Sequence, residues 1–330
     1  MGTSLDDLLT RRVVKQGEVP VNAGDVLRWS EAHRERAARH WPDRTADWVA
    51  PPASVTSYVR PLEWRPDREG PPGDRGSGLH ELLKTELGYP LGIAAGYELE
   101  LHALLRDGDR LAAVERIASV GEEEHGRLGP GRRWVIENRV EVVGGPLAAV
   151  ERFHMLGYQP GAPGGPGVSG SGHPAAVPAT SGGAPPGPDL VEELEVTTVA
   201  IVMGAAANRV WTPAHLDRDA AVAVGVSDVF VDTSTQLGLL AVVAARAAGA
   251  DARLGRAELR MRRPILPGTR LHLEARTTAD HVDAAGVRWR SVAVAARAGE
   301  VTHSTLAARL AVEGPGGVDP WGLGPERWAP

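Results

Sequence analysis

The stretch "AELRMRRPILPGTRLHLEAR", Ala257 to Arg276, decides how this chain folds, because an earlier stretch repeats it. "YELELHALLRDGDRLAAVER", Tyr97 to Arg116, aligns with it without a gap. Glu98 falls on Glu258, Leu99 on Leu259 and Gly108 on Gly268; Arg110, Leu111 and Arg116 fall on Arg270, Leu271 and Arg276. In both stretches alternating apolar and polar residues flank the glycine, so each reads as strand, turn, strand. Further on, "RRWVIENRVEVV" (132–143) and "VRWRSVAVAARA" (287–298) are again strand-like, with Trp134 and Trp289 in comparable places. An internal duplication explains this more simply than chance.

Between the two halves lies "QPGAPGGPGVSGSGHPAAVPATSGGAPPGP", Gln159 to Pro188, without one Asp, Glu, Lys or Arg. Glycine and proline break every hydrophobic period in it, so it reads as a disordered linker. At this length its root-mean-square span is roughly 30 Å, enough to cross one face of a domain. The expected organisation is a first repeat at 1–158, a linker at 159–190 and a second repeat at 191–330.

The clearest helix precedes the second strand block. "DTSTQLGLLAVVAARAAG" offers Asp232 or Thr233 as N-cap, spaces Thr233 and Gln236 as a capping box, and ends at Gly249. It is apolar almost all round and must be wrapped by other structure. Helix first, then long antiparallel strands, twice over, gives an α+β chain whose sheet curls round a central helix. The best first-half counterpart is "PPASVTSYVRPLEW", Pro51 to Trp64, opened by prolines and interrupted at Pro61.

The 330 residues carry a net charge of −6, 42% apolar and 24% charged residues, and no cysteine. This is a globular composition without disulfides or thiolate metal sites, and the charge argues against a nucleic-acid partner. The first residues, "MGTSLDDLLTRRVV", carry acids where a signal peptide carries bases, and no apolar run is long enough for a membrane span. A cytoplasmic location is expected. Lysine stands only at Lys15 and Lys84 while Arg, Ala, Gly and Pro abound, a bias that points to a GC-rich bacterial genome. His272, His281 and His303 are too scattered for a metal site, and no glycine loop cradles a phosphate ahead of a helix. Neither metal nor cofactor is expected. "GEEEH" (121–125) reads as an acidic turn, and His33 and His40, within "AHRERAARHWPDRTADW", as solvated side chains of a charged segment.

"NRVWTPAHLD", Asn208 to Asp217, is the candidate for chemistry. With the approach "RDAAVAVGVSDVFVDTSTQLGLL" and the turn "RMRRPILPGTRL", it resembles the MaoC-like dehydratases and R-specific enoyl-CoA hydratases. That family's motif runs approximately Arg-Asp-Trp-Asn-Pro-x-His-x-Asp, and Arg209, Trp211, Pro213, His215 and Asp217 match it. The first half, through "VAPPASV" and "YELELHALLRDGDRL", is similar to the N-terminal repeat of double-hotdog members.

The resemblance implies a double hotdog fold and a β-hydroxyacyl or enoyl thioester substrate on coenzyme A or an acyl carrier protein. It also implies a homodimer or a hetero-oligomer with another hotdog chain. In the family, a His and an Asp five residues earlier hold water for general acid–base addition or removal, and the amide opening the central helix stabilises the enolate. By position these are His215 as base, in an enclosed cavity, and the Thr233 amide as oxyanion donor; the aspartate position is Val210. Three readings stay open. A carboxylate from elsewhere serves, Glu63 or Asp232, with Tyr58 as a proton or hydrogen-bond donor; the plainer roles are a solvated charge and an N-cap. The chain instead binds a ligand or supports a partner without hydrating. Or the pocket is reused in specialised metabolism, a lone base enolising or cyclising a compound against indoles such as Trp211. Arg256, Arg260, Arg262 and Arg263 could meet coenzyme A phosphates, although Glu258, Arg260 and Arg262 are also spaced as one solvated strand face.

Overall fold

The computed structural model describes residues 4–67, 78–126, 128–159, 187–249, 251–314, 317–324 and 327–330. Most of the expected linker, 160–186, lies outside the described residues. The first half runs α1 (Leu5–Thr10), β1 (Arg12–Gln16), α2 (Ala23–Ala32), a 3-10 helix at Pro52–Tyr58, α3 (Gly78–Leu87), β2 (Leu91–Leu101), β3 (Leu111–Gly126), β4 (Gly129–Val142) and β5 (Leu147–Tyr158). The second runs β6 (Leu190–Glu195), α4 (Thr198–Ala207), a 3-10 turn at Pro213–His215, α5 (Arg218–Ala223), α6 (Thr233–Ala248), β7 (Arg253–Met261), β8 (Arg270–Val282), β9 (Arg288–Ala298) and β10 (Val301–Val312). Its sheet thus begins at Leu190, one residue inside the expected linker.

All ten strands form one antiparallel sheet in the order β1-β3-β4-β5-β2-β7-β10-β9-β8-β6. Counted inward from either edge, each half has its first, third, fourth, fifth and second strand in turn. The halves meet where β2 pairs with β7, and there Glu98 stands directly opposite Glu258. These are the residues that the ungapped alignment superposes, so a pseudo-two-fold axis passes between them. The turn glycines of the two blocks take nearly the same left-handed φ, 83° at Gly108 and 82° at Gly268. Side chains with a Cβ rarely adopt that backbone, which is why both copies carry glycine there.

The concave side of the second-half sheet holds α6. Asp232 caps it by accepting from Thr235 N at 3.0 Å, and Gly249, at φ 140°, ends it. Gln236 does not complete a capping box; its Nε2 donates to Val231 O at 3.0 Å instead. Leu237, Leu240 and Val243 are buried in a core that also holds Leu259, Leu271 and Leu306 of the second half and Tyr97, Leu99 and Leu111 of the first. Each such side chain contributes about 1.5–3 kcal/mol by leaving water. One core therefore runs under both repeats. This is the α+β double hotdog, with one correction.

The first repeat has no long central helix. Pro52–Tyr58 forms a 3-10 helix, buried except at Pro52, that packs on α6, and Trp64 is exposed. Pro61, lacking an N–H, cannot continue a helix there. The helix leading directly into β2, as α6 leads into β7, is α3, ten residues against sixteen. Its Leu79 and Leu83 pack with Ile117, Trp134 and Ile136 in a separate small cluster. "GEEEH" is no turn but part of the exposed far end of β3.

Candidate active site at the head of the central helix

The motif is presented by the way α4 ends. Arg209 adopts a left-handed φ of 54°, its N–H donates to Ala206 O at 3.0 Å, and Val210 N donates to Ala205 O at 2.8 Å. This is a Schellman closure, whose last residue customarily turns its side chain onto the helix it terminates. The Val210 side chain is buried. The position where the resemblance places an acid thus holds an isopropyl group, which can neither accept a proton nor orient water.

The chain then turns through Pro213–His215 and brings the imidazole against the approach to α6. His215 Nδ1 lies 2.8 Å from Phe230 O, and the two rings meet edge-on with centroids 4.5 Å apart. A carbonyl can only accept, so Nδ1 carries the proton and the neutral ring keeps a lone pair on Nε2. That is the tautomer a general base needs. His215 is half-buried.

Phe230 is two residues ahead of Asp232, the cap of α6. The Asp232 carboxylate, 2% exposed, accepts from both Thr235 N and Thr235 Oγ1. Its place is therefore that of an N-cap. Among the described residues the first two helical amides, Thr233 N and Ser234 N, have no acceptor, and the helix dipole adds to their partial positive charge. The Thr233 hydroxyl lies 3.5 Å from the sulfur of Met261.

The other candidates are placed elsewhere. Tyr58 is buried in the core; burial, then the nearby Asp25 carboxylate, push its phenol well above its ordinary value. Glu63 is half-buried, and its charge acts on Arg209, whose guanidinium donates to Pro61 O at 3.4 Å. Trp211 is 36% exposed, at the surface rather than in the core. Arg260 pairs with Glu258 at 2.6 Å and Arg256 approaches Glu98 at 3.7 Å, whereas Arg262 and Arg263 are exposed beyond the end of β7. Among the described residues, no three His, Asp or Glu side chains gather as metal ligands.

Two features escape the sequence. The first overturns the solvated reading of His33 and His40: both are buried, at 0% and 4% exposure. His33 stacks on Trp29 (3.9 Å between centroids), and its Nδ1 donates to Trp29 O at 2.8 Å. Asn208, at the end of α4, accepts from Trp29 Nε1 at 3.0 Å, while its Nδ2 lies 3.2 Å from His33 Nε2 and 3.1 Å from Thr235 Oγ1. A chain of hydrogen bonds thus ties α2 to the motif and to the cap of α6. Burial lowers the His33 pKa to about 4, against the opposing pull of the Trp29 carbonyl and of Asp232. The spacing of Val26, Trp29, Ser30 and His33 at i, i+3, i+4 and i+7 was the available signal.

The second is a cavity of about 90 Å³ in the first repeat, lined in part by Thr56, Val59, Pro61, Asn138 and Phe153. His215, Thr233 and Asp232 do not line it. The expectation of an enclosed cavity facing His215 is not met by this space, which is lined by first-repeat residues alone.

No protein-family model matches the sequence, and no curated protein sequence matches it. Solved structures do. A protein described as a MaoC-like dehydratase superposes with a TM-score of 0.66 at 15% identity, over 93% of this chain and 99% of that one. A MaoC-like dehydratase from Phytophthora capsici gives 0.63 at 14%, over 93% and 98%. A conserved hypothetical protein from Mycobacterium tuberculosis, described as having a double hotdog fold, gives 0.54 at 17%, over 94% and 98%. At such identities the likeness shows a shared fold, over nearly the whole of both chains. Among the described residues no helix is long and apolar enough to cross a membrane.

Proposed function

We propose that this chain acts on β-hydroxyacyl or enoyl thioesters, carried by coenzyme A or an acyl carrier protein, as a MaoC-like dehydratase or hydratase reduced to a single general base. His215 is that base, and the Thr233 amide, with Ser234 beside it, receives the thioester oxygen as it gains negative charge. The observation that carries the reading is the Nδ1–H bond from His215 to Phe230 O. In the neutral imidazole this bond puts the lone pair on Nε2, with two acceptor-free amides at the start of the helix that Phe230 leads into. Trp211, a motif residue at the surface, is a contact for the carrier or the acyl group.

A second reading is favoured by Val210 and Asp232: one has no carboxylate and the other uses its carboxylate as a cap. Without an acid partner the pocket would bind an acyl thioester or support another hotdog chain without hydrating. Neither Glu63 nor Tyr58 is adopted as the missing acid, since the one acts on Arg209 and the other is sealed in the core.

The two readings part in one experiment. Purified protein with enoyl-CoAs of increasing chain length should bleach the conjugated thioester absorbance slowly, and His215→Ala should remove that activity. Since general acid–base groups each contribute about 10²–10⁴-fold, Val210→Asp should raise the rate by one to a few orders of magnitude in protein that stays folded. Silence of both the parent and Val210→Asp across the panel would favour the non-hydrating reading.

A further inference from the structure

We infer that the first repeat carries a separate small-molecule site, shaped for a short apolar stem ending in a hydroxyl or a primary amide. The site does not depend on the reading of His215. It occupies the cavity that opens between the 3-10 helix, α3 and the sheet, on the side lacking a continuous central helix. Val59, Ile136, Phe153 and Met155 give it apolar walls, Thr56 and Asn138 give it a polar end, and His80 and the Lys15–Glu115 ion pair complete the lining. A volume of about 90 Å³ holds a handful of non-hydrogen atoms.

The polar end defines the head group. Behind it lies Glu151, fully buried, accepting from Tyr97 OH at 2.6 Å, from Thr56 Oγ1 and from Asn138 Nδ2 at 3.3 Å. Among the described residues it has no Lys, Arg or His as ion-pair partner. A carboxylate accepts only, so the Asn138 amide is fixed with Nδ2 toward Glu151 and Oδ1 turned away. That Oδ1 is buried and has no donor among the described residues, and the buried Nε of Arg60, another lining residue, has no acceptor. Unpaired buried groups of this kind are costly, and a ligand that pairs them recovers the difference. The head must therefore donate to Asn138 and accept from Arg60. A hydroxyl or a primary amide does both. A carboxylate accepts from Arg60 but offers no proton to Asn138 and adds charge beside Glu151; an alkyl end leaves both groups unpaired.

Such a head could belong to a free alcohol or amide, or to the far end of an acyl chain on a thioester. Pro61 lines the cavity while its carbonyl accepts from Arg209, next to Val210, so the site borders the motif. Calorimetric titration of the full chain with pentan-1-ol, pentanamide and pentanoate tests the proposal. Saturable binding of the first two, and binding of pentanoate weaker by about tenfold or more, is expected. Asn138→Leu should weaken pentanamide by a similar factor, and Met155→Trp, which fills the cavity from its apolar wall, should abolish binding in protein with parental circular dichroism. His215→Ala should bind as the parent does, which separates this site from the thioester chemistry. Displacement of pentanamide by a coenzyme A thioester with an ω-hydroxyl acyl chain assigns the site to the acyl tail; displacement only by free alcohols assigns it to a separate ligand. No saturable binding, equal binding of pentanoate, or undiminished binding in folded Met155→Trp would overturn the inference.

Discussion

His33 shows how one side chain can be misjudged from its neighbours. Arg34 and Arg36 are exposed, yet the ring between Trp29 and Asn208 is sealed from water. Its pKa, lowered by burial from an ordinary 6.5 to about 4, ties stability to pH. Below pH 6.5 the unfolded chain takes up a proton that the folded chain refuses, so stability present above 6.5 is lost as pH falls toward 4. For this group the loss is on the order of 3 kcal/mol. Burial lowers the His40 pKa as well, so its contribution also weakens as pH falls. Urea unfolding at pH 7.0, 5.5 and 4.5 should show midpoints falling steadily, and His33→Leu, though less stable at pH 7.0, should fall less steeply. Equal slopes in parent and variant would remove His33 as the cause. The motif residues, by contrast, were readable by type but not by partner. Nothing in "NRVWTPAHLD" discloses that Phe230, fifteen residues later, holds His215, or that Val210 closes a helix.

At the scale of elements, α6 is fixed by what it lies against. A Cβ on Gly238 would stand 2.2 Å from His33 Cδ2 and 2.9 Å from Trp29 Cζ2, so the glycine is what lets α2 approach α6. Gly238→Ala should destabilise by about 1–3 kcal/mol through overpacking, against the small gain alanine gives inside a helix. Thermal denaturation read at 222 nm checks the sign: a higher midpoint than the parent would mean that α2 does not pack on α6 as described. This helix and the long strands were legible because their periods are strong and their stops are glycines. The first-half helix was not. "PPASVTSYVRPLEW" has helical spacing but two opening prolines and a third at Pro61, and tertiary packing onto α6 settles it as a 3-10 turn. α3 carries good helix formers in "GLHELLKTEL", with Leu79 and Leu83 buried and Leu82 and Leu87 packed against the same cluster, a helical spacing that was the available signal.

Across the whole molecule, duplication explains more than the sheet order. Joining two hotdog sheets at β2 and β7 hides the strand edge each would otherwise expose, and puts Glu98 against Glu258. Like charges facing across strands are unfavourable, and the surroundings answer them: Arg152 and Arg256 each approach Glu98 at 3.7 Å, and Arg260 pairs with Glu258. The C-terminal tail then pins the junction. Trp328 donates its indole N–H to Leu101 O at the end of β2, lies under the Arg253 guanidinium (3.6 Å to the ring centroid) and meets Trp289 at 5.1 Å. One side chain thus touches the last residue of a first-repeat strand and the first residue of its second-repeat partner. Trp328→Ala should cost about 3–5 kcal/mol, the range for deleting a buried indole. Trp64→Ala, 61% exposed, should stay within about 0.5 kcal/mol of the parent. Because one core runs beneath both repeats, both variants should unfold in a single urea transition, with only the first displaced to lower urea. A Trp328→Ala midpoint equal to that of Trp64→Ala would mean that the tail does not hold the repeats together.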